Sequence, residues 1–159
     1  MKNLFILSIF LGLFIACESS PRSNGFVTSI EDSSWQMGSQ ESVDLVTDLD
    51  KYWGVDYDQM RKFFADSVYG RFAEGETFET VDEFLEIVKD QMQSSPGDQN
   101  WSLEWAFCIA LDPLSGGEWV NAAFTVDAPD DKPKRHINEW YFVKDNKIHR
   151  FNQSRRLLD

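Results

Sequence analysis

The chain has 159 residues and a formal net charge of −12, from 27 acidic and 15 basic side chains. This excess of negative charge argues against nucleic acid and anionic lipid headgroups as partners, because both are bound through a basic surface. Once the N-terminal segments described next are set aside, roughly 125 residues remain, which is enough for one hydrophobic core but not for two.

The first 16 residues are typical of a secretory signal peptide. Lys2 is followed by a nearly continuous apolar run over residues 4–15, which is too short to span a bilayer, and Ala16 is small enough for a cleavage site. The sequence from Phe14 to Cys17 resembles the lipobox of bacterial lipoproteins. That resemblance implies an exported protein of the bacterial cell envelope, anchored to a membrane by acyl chains on Cys17. The alternative is an ordinary signal peptide followed by an incidental cysteine.

Residues 17–34 are rich in serine and show no apolar periodicity, which predicts a flexible tether between the lipid and a single domain over residues 35–159. The second cysteine, Cys108, lies within a predicted strand and is expected to be a small buried apolar residue. If Cys17 carries lipid, no intramolecular disulfide can form, and the exported domain must be stabilised by packing alone.

Three helices are predicted in the first half of the domain, over residues 39–53, 56–70 and 80–92, from apolar positions at helical spacing. The predicted capping residues are Ser39, either Asp56 or Asp58, and the capping box formed by Thr80 and Glu83. Between the second and third helices, residues 68–79 predict a short hairpin that turns at Glu74 and Gly75.

After Pro96 the period of the apolar residues changes to two, which predicts long antiparallel strands. In the first strand, residues 101–112, one face is predicted to carry Trp101, Leu103, Trp105, Phe107, Ile109 and Leu111. A second strand begins at Glu118. The segment 137–153 predicts a hairpin in which Asp145 and Asn146 tolerate the positive φ that a tight turn requires. Helices followed by an antiparallel meander predict the α+β class.

Both faces of the strand over residues 140–143 are apolar, with Trp140 and Phe142 on one face and Tyr141 and Val143 on the other. A sheet with one solvated face alternates apolar and polar residues instead. Because the helices can cover only one face, we expect the second face to meet another copy of the chain in a two-fold dimer. The alternative is that the N-terminal tether folds back over that face.

Two segments resemble the nuclear-transport-factor-2-like superfamily, and more closely its polyketide-cyclase-like (SnoaL-like) branch. Residues 142–148 (FVKDNKI) resemble its closing hairpin, and residues 64–69 (FADSVY) resemble the segment after its second helix. The resemblance covers residues 36–157. It implies a cone-shaped barrel, in which three N-terminal helices pack on a strongly curved, mainly antiparallel sheet. It also implies a conical pocket, which in this superfamily serves isomerases, dehydratases, cyclases, hydrolases and plain binding proteins.

A small-molecule site in such a cone is expected to combine aromatic side chains with a few convergent polar groups. The predicted ligand-binding residues are Trp119, Asn121, Asn138, Trp140, Arg150 and Asn152. The last four share a face if the hairpin carries a one-residue bulge, whereas a plain two-residue turn places Arg150 and Asn152 on the face of Glu139 and Tyr141. The alternative is that these polar residues only satisfy one another or lie at a rim.

The only candidate catalytic residue in the predicted cone is Glu139, as a general base. By resemblance, the branch often carries a histidine or aspartate at the positions of Asn138 or Glu139, and an aspartate near Gln153. Amides transfer no protons near pH 7, so this set looks depleted. His136 and His149 do not show metal-ligand spacing, and no metal or other cofactor is expected.

The sequence therefore favours a domain that binds a small, largely apolar ligand without catalysis. The first alternative is an isomerase, dehydratase or hydrolase that uses Glu139 as its base. The second alternative is a protein-interaction module whose cone is filled by its own side chains.

Overall fold

The computed structural model describes residues 24–25, 27–29, 31, 33–94, 100–112, 116–127 and 133–158. The predicted signal peptide, Cys17 and most of the predicted tether lie outside these residues. The helices are α1 (Gln40–Asp50), α2 (Tyr57–Arg61) and α3 (Val81–Ser94). The strands are β1 (Ser34–Met37), β2 (Phe64–Arg71), β3 (Thr77–Phe78), β4 (Trp101–Asp112), β5 (Glu118–Val126), β6 (Arg135–Lys144) and β7 (Lys147–Leu157).

All seven strands belong to one sheet, in the order β1-β4-β5-β6-β7-β2-β3. Neighbouring strands are antiparallel except β2 and β7, which run parallel. The three helices pack on one face of this curved sheet, which we call the inner face; the other is the outer face. The predicted α+β class, with three helices on a mainly antiparallel curved sheet, is confirmed.

Local hydrogen bonds start each helix where the sequence predicts. Ser39 caps α1, because its hydroxyl accepts a hydrogen bond from the amide of Ser42 at 3.3 Å. Asp56 caps α2 in the same way. At α3 the hydroxyl of Thr80 accepts from the amide of Glu83 at 3.2 Å, which is half of the predicted capping box.

The second predicted helix is much shorter than expected. It ends at Arg61, and residues from Phe64 onward form β2 instead. The apolar residues Phe64 and Val68 are four positions apart, a spacing that suits one face of a helix and one face of a strand equally well. Pairing with β7 selects the strand instead of the helix. The two strand backbones approach closely at Gly70, where a Cβ atom would lie 1.8 Å from the carbonyl oxygen of Phe151. The predicted hairpin between β2 and β3 is confirmed.

The prediction that one face of β4 carries all its large apolar residues is wrong. A bulge between Leu103 and Trp105 shifts the register with β5 by one residue, which reverses the faces beyond it. Trp101 therefore lies on the inner face and packs against the core. Trp105 and Phe107 lie on the outer face, where they are 45% and 37% exposed. Cys108 takes the inner position and is buried, as predicted.

The β6–β7 hairpin contains both a two-residue turn and a one-residue bulge, the two features considered from its sequence. Asp145 and Asn146 have φ angles of 50° and 57°, the left-handed pair that a two-residue turn requires. A bulge next to the turn then shifts the register, so that Trp140 pairs with Asn152 and Phe142 pairs with Arg150. This is the bulged alternative, and it places these four side chains on one face.

The core lies between the helices and the inner face, and its centre is aromatic. Phe84 of α3 contacts the rings of Trp53, Phe64, Phe72, Phe78 and Phe151. Part of the predicted tether also contacts the sheet, because Asn24 pairs with Trp35 and Ser34 belongs to β1. Within the described segments, no helix has the length and apolar character needed to cross a membrane.

Candidate functional site

A cavity of about 340 Å³ opens between the helices and the inner face of the sheet. Its apolar lining is Trp53, Met92, Trp101, Phe124, Val126, Ile137 and the ring of Tyr141. Its polar lining includes Asp50, Glu74, Glu76, Asp90, Gln91, Arg135, Glu139, Gln153 and Arg155. The lining is therefore more polar than the sequence predicted, although the volume suits a small molecule.

Glu139 lies on β6 and is the most deeply buried acid of the cavity, with 4% of its surface exposed. One carboxylate oxygen accepts a hydrogen bond from the hydroxyl of Tyr141, and the other accepts one from the amide of Gln153 at 2.9 Å. Burial raises the pKa of Glu139 to about 7, against the opposing effect of these two hydrogen bonds; the nearby charge of Asp50 raises it further. Near neutral pH this carboxyl can both accept and donate a proton.

Tyr141 and Asp50 complete the inner part of the site. Burial, together with the charge of Glu139, raises the pKa of Tyr141 well above its usual value, so its hydroxyl remains a donor. Asp50 is the last residue of α1, and its carboxylate accepts a hydrogen bond from the indole of Trp101 at 2.8 Å. Burial raises the pKa of Asp50, and the hydrogen bond from Trp101 opposes this effect.

The outer part of the cavity is lined by charged residues of both signs. Arg155 of β7 forms an ion pair with Glu74 at 2.5 Å. One carboxylate oxygen of Glu76 accepts a weak hydrogen bond from the amide of Gln91 at 3.4 Å. The second carboxylate oxygen of Glu76 is buried and has no hydrogen-bond partner among the described residues.

The predicted site residues divide between the two faces of the sheet. Glu139 lines the cavity, as expected of a candidate base. The six predicted ligand-binding residues, Trp119, Asn121, Asn138, Trp140, Arg150 and Asn152, all occupy outer-face positions and none of them lines the cavity. Side chains alternate along β5 and β6, so the register that turns Glu139 and Tyr141 inward must turn Asn138 and Trp140 outward. That these residues bind a ligand stays a prediction, but in this cavity they cannot do so.

On the outer face, two of these polar residues, Asn121 and Asn138, bind each other. Asn121 and Asn138 exchange side-chain hydrogen bonds of 2.9 and 3.2 Å, and the indole of Trp105 donates to Asn121 at 3.1 Å. The guanidinium of Arg150 lies over the rings of Tyr69 and Phe142 at 5.0 and 5.5 Å. The sequence-based alternative, in which buried polar residues satisfy one another, describes the Asn121–Asn138 pair.

Asp50, Trp101 and Arg135 are site residues that the sequence pattern does not predict, and the pattern gives no role to Tyr141 or Gln153. For Tyr141 a signal existed, because residues two apart on a strand share a face, so Glu139 implies Tyr141. No sequence signal places Asp50 beside Trp101, since these residues are 51 positions apart and meet through helix–sheet packing.

Neither histidine nor cysteine adds chemistry to the cavity. The ring of His136 contacts the ring of Trp105 on the outer face, tilted by 37° with ring centroids 5.3 Å apart. Burial next to the carboxylate of Glu118 raises the pKa of the Cys108 thiol to about 12, so this thiol is inert near neutral pH. The described residues contain no cluster of three or more histidine, cysteine or acidic side chains suited to a metal ion.

The three helices on a curved sheet match solved structures with the nuclear-transport-factor-2-like fold of SnoaL-like proteins, and this fold was predicted from the sequence. Solved structures with this likeness include a candidate ketosteroid isomerase from Kribbella flavida, at a TM-score of 0.58 and 13% identity over 77% of this chain and 83% of that one. A candidate SnoaL-like polyketide cyclase from Jannaschia reaches a TM-score of 0.55 at 14% identity, covering 76% of this chain and 90% of that one.

An LEH-like epoxide hydrolase from M. tuberculosis has a TM-score of 0.52 at 9% identity, covering 74% of this chain and 84% of that one. At these identities the likeness establishes the fold alone. No family model and no curated protein sequence matches the chain.

Proposed function

We propose that the chain binds a small molecule in the cavity between its helices and its sheet. The observation that carries this proposal is the cavity of about 340 Å³, with a hydrogen-bonded carboxyl and phenol at its inner end. Aromatic and aliphatic side chains line the same space, which suits a ligand with an apolar body. The polar residues nearby favour a ligand that also carries a polar group, rather than the largely apolar ligand expected from the sequence.

Native mass spectrometry of the protein tests this proposal. We expect a mass above that of the bare chain, with the excess released on denaturation. The variant Ile137→Trp narrows the cavity and should lose the added mass, whereas Asn152→Trp, on the outer face, should retain it. Loss of the added mass in Asn152→Trp alone would move the site to the outer face and contradict the proposal.

A second candidate function is acid–base catalysis in the same cavity, with Glu139 as the general base. It is favoured by the pKa of about 7 that burial gives this carboxyl, since a base works best when its pKa lies near the operating pH. The fold neighbours named as an isomerase and an epoxide hydrolase make such chemistry reasonable for the fold. For a ligand identified by its mass, Glu139→Gln should retain binding and abolish conversion. Equal conversion by the variant would leave binding as the function.

We also propose that a second copy of the chain covers the outer face. The outward residues of β5, β6 and β7 include Trp119, Trp140 and Phe142 but no acidic side chain. In a chain of net charge −12, such a face lets two copies meet without placing carboxylates against each other. Sedimentation velocity should show a dimer that Trp140→Glu converts to a monomer; a monomeric native protein would refute the interface.

Export and lipid attachment at Cys17 form the remaining part of the proposal, supported by the signal sequence and the lipobox resemblance. Metabolic labelling with a radioactive fatty acid should label the chain, and Cys17→Ser should remove both the label and the membrane association. Equal labelling of the variant would contradict attachment at this residue.

A further inference from the structure

The chemical class of the ligand can be inferred from the charges that face the cavity. This inference rests on the proposed binding function. Among the described residues, five carboxyl groups line the cavity, on Asp50, Glu74, Glu76, Asp90 and Glu139, against two guanidinium groups, on Arg135 and Arg155. One guanidinium, that of Arg155, is already paired with Glu74. The described lining of this cavity therefore carries more negative than positive groups.

The hydrogen-bond donors that the structure shows for the carboxyl groups of Asp50 and Glu139 are all neutral. Asp50 has a neutral donor, the indole of Trp101, and Glu139 has two neutral donors, a phenol and an amide. Glu76 adds a buried oxygen with no hydrogen-bond partner among the described residues. Burying acidic groups in this way is costly unless a positive charge accompanies them.

The apolar lining is also of the kind that recognises cations. Trp53, Trp101 and Tyr141 contribute aromatic rings to the same cavity that Asp50 and Glu139 line. The electron-rich face of such a ring attracts an ammonium group, and this attraction strengthens when the group is removed from water. Carboxylates and aromatic faces together favour a positively charged head attached to an apolar body.

We propose that the cavity selects an organic ammonium ion, that is, a protonated amine on an apolar body, with Asp50 as a principal contact of its charged head. Asp50 suits this role because its carboxylate is fixed by Trp101 and lines the cavity. The apolar body of the ligand then packs against the rings and Met92.

Three probes with the same apolar body test the choice of charge: 4-phenylbutylamine, 4-phenylbutanol and 4-phenylbutanoate. Titration calorimetry at pH 7 should show the amine binding at least about tenfold more tightly than the alcohol, and the carboxylate most weakly, which corresponds to about 1.4 kcal/mol or more between amine and alcohol. Equal or reversed affinities would overturn this inference and leave the proposed binding function standing. Absence of binding by all three probes would overturn the inference and count against the binding function as well.

Two aspartates at the C-terminal end of α1 provide a matched pair of variants. Asp50→Asn keeps an acceptor for the indole of Trp101 but removes the charge, and it should weaken amine binding about tenfold while changing alcohol binding less than twofold. Asp48→Asn removes an exposed charge that pairs with Lys51 outside the cavity and should leave both affinities unchanged. A similar loss of amine affinity in both variants would show that the overall negative charge of the protein attracts the amine, and would contradict the role assigned to Asp50.

Discussion

Replacement of Phe84 by alanine is expected to lower the free energy of unfolding by about 3–5 kcal/mol. This side chain has no exposed surface, and it belongs to α3, the helix that packs on β2 and β3. The ring centroids it contacts are those of Phe64 at 4.5 Å, Phe78 at 5.1 Å, Phe72 at 5.4 Å, Phe151 at 5.5 Å and Trp53 at 5.6 Å. Alanine would leave a void bordered by five rings that cannot all close it.

Urea unfolding followed by circular dichroism measures this loss. The helix propensity of alanine is better than that of phenylalanine, so a decrease in stability can arise only from packing. Val55→Ala serves as the control, because Val55 is 80% exposed and its truncation should change the free energy by less than about 0.5 kcal/mol. A loss below about 1 kcal/mol in Phe84→Ala would mean that α3 does not pack at the centre of the core.

The features that the sequence predicted well are those that neighbouring residues decide. Ser39, Asp56 and Thr80 cap helices through hydrogen bonds to residues three positions away. The turn at Asp145 and Asn146 depends on the φ angles of two residues. Such local patterns also carry the family resemblance, and for this reason the class and the fold followed from the sequence.

The features that the sequence could not provide depend on contacts between distant segments. The β4 bulge, which separates Trp101 from Trp105, is set by pairing with β5 and leaves no signature in the apolar alternation of β4. The choice between helix and strand after Arg61 depends on β7, which lies more than 80 positions further along the chain. Sequence alternation shows that residues share a face, but it does not show which face the helices cover.

This last ambiguity explains the outcome for the candidate site. The pattern along the hairpin separates Asn138 and Trp140 from Glu139 and Tyr141 whichever face is covered. The polar and aromatic residues selected from the sequence lie on the outer face, where Asn121 and Asn138 satisfy each other. The residue proposed only as a candidate base, Glu139, instead lies at the inner end of the cavity.

The titration of Glu139 is expected to give the protein a stability that falls as the pH rises. Burial raises the pKa of this carboxyl from 4.5 to about 7, so between these values the folded state holds a proton that the unfolded state has lost. The stability contribution is therefore complete below about pH 4.5 and is lost as the pH rises through about 7. This difference between the folded and unfolded pKa of Glu139 corresponds to about 3 kcal/mol of unfolding free energy. About 2–3 kcal/mol of that free energy is lost between pH 5 and 8.

The variant Glu139→Gln isolates this effect, because an amide of nearly the same shape can still accept a hydrogen bond from Tyr141 but does not titrate. Relative to the native protein, the variant should gain about 2–3 kcal/mol of unfolding free energy between pH 5 and 8, measured by urea unfolding at each pH. If the new side-chain amide accepts a poorer hydrogen bond from Gln153 than the carboxylate does, the resulting loss of unfolding free energy is the same at every pH. Asp50 is present in both proteins, so its own titration largely cancels.

Glu118→Gln provides a control of opposite sign. Hydrogen bonds from Ser39 and Ser42 hold the pKa of Glu118 below its usual value even though burial opposes them. The stability that Glu118 contributes is therefore present above pH 4.5 and is lost only in more acidic solution, so this variant should differ from the native protein by a constant amount between pH 5 and 8. If Glu139→Gln also gave a constant difference across that range, Glu139 would titrate as an ordinary carboxylate. The cavity would then hold a permanently ionised acid, which would remove the basis for Glu139 as a proton acceptor and strengthen the case for a cationic ligand.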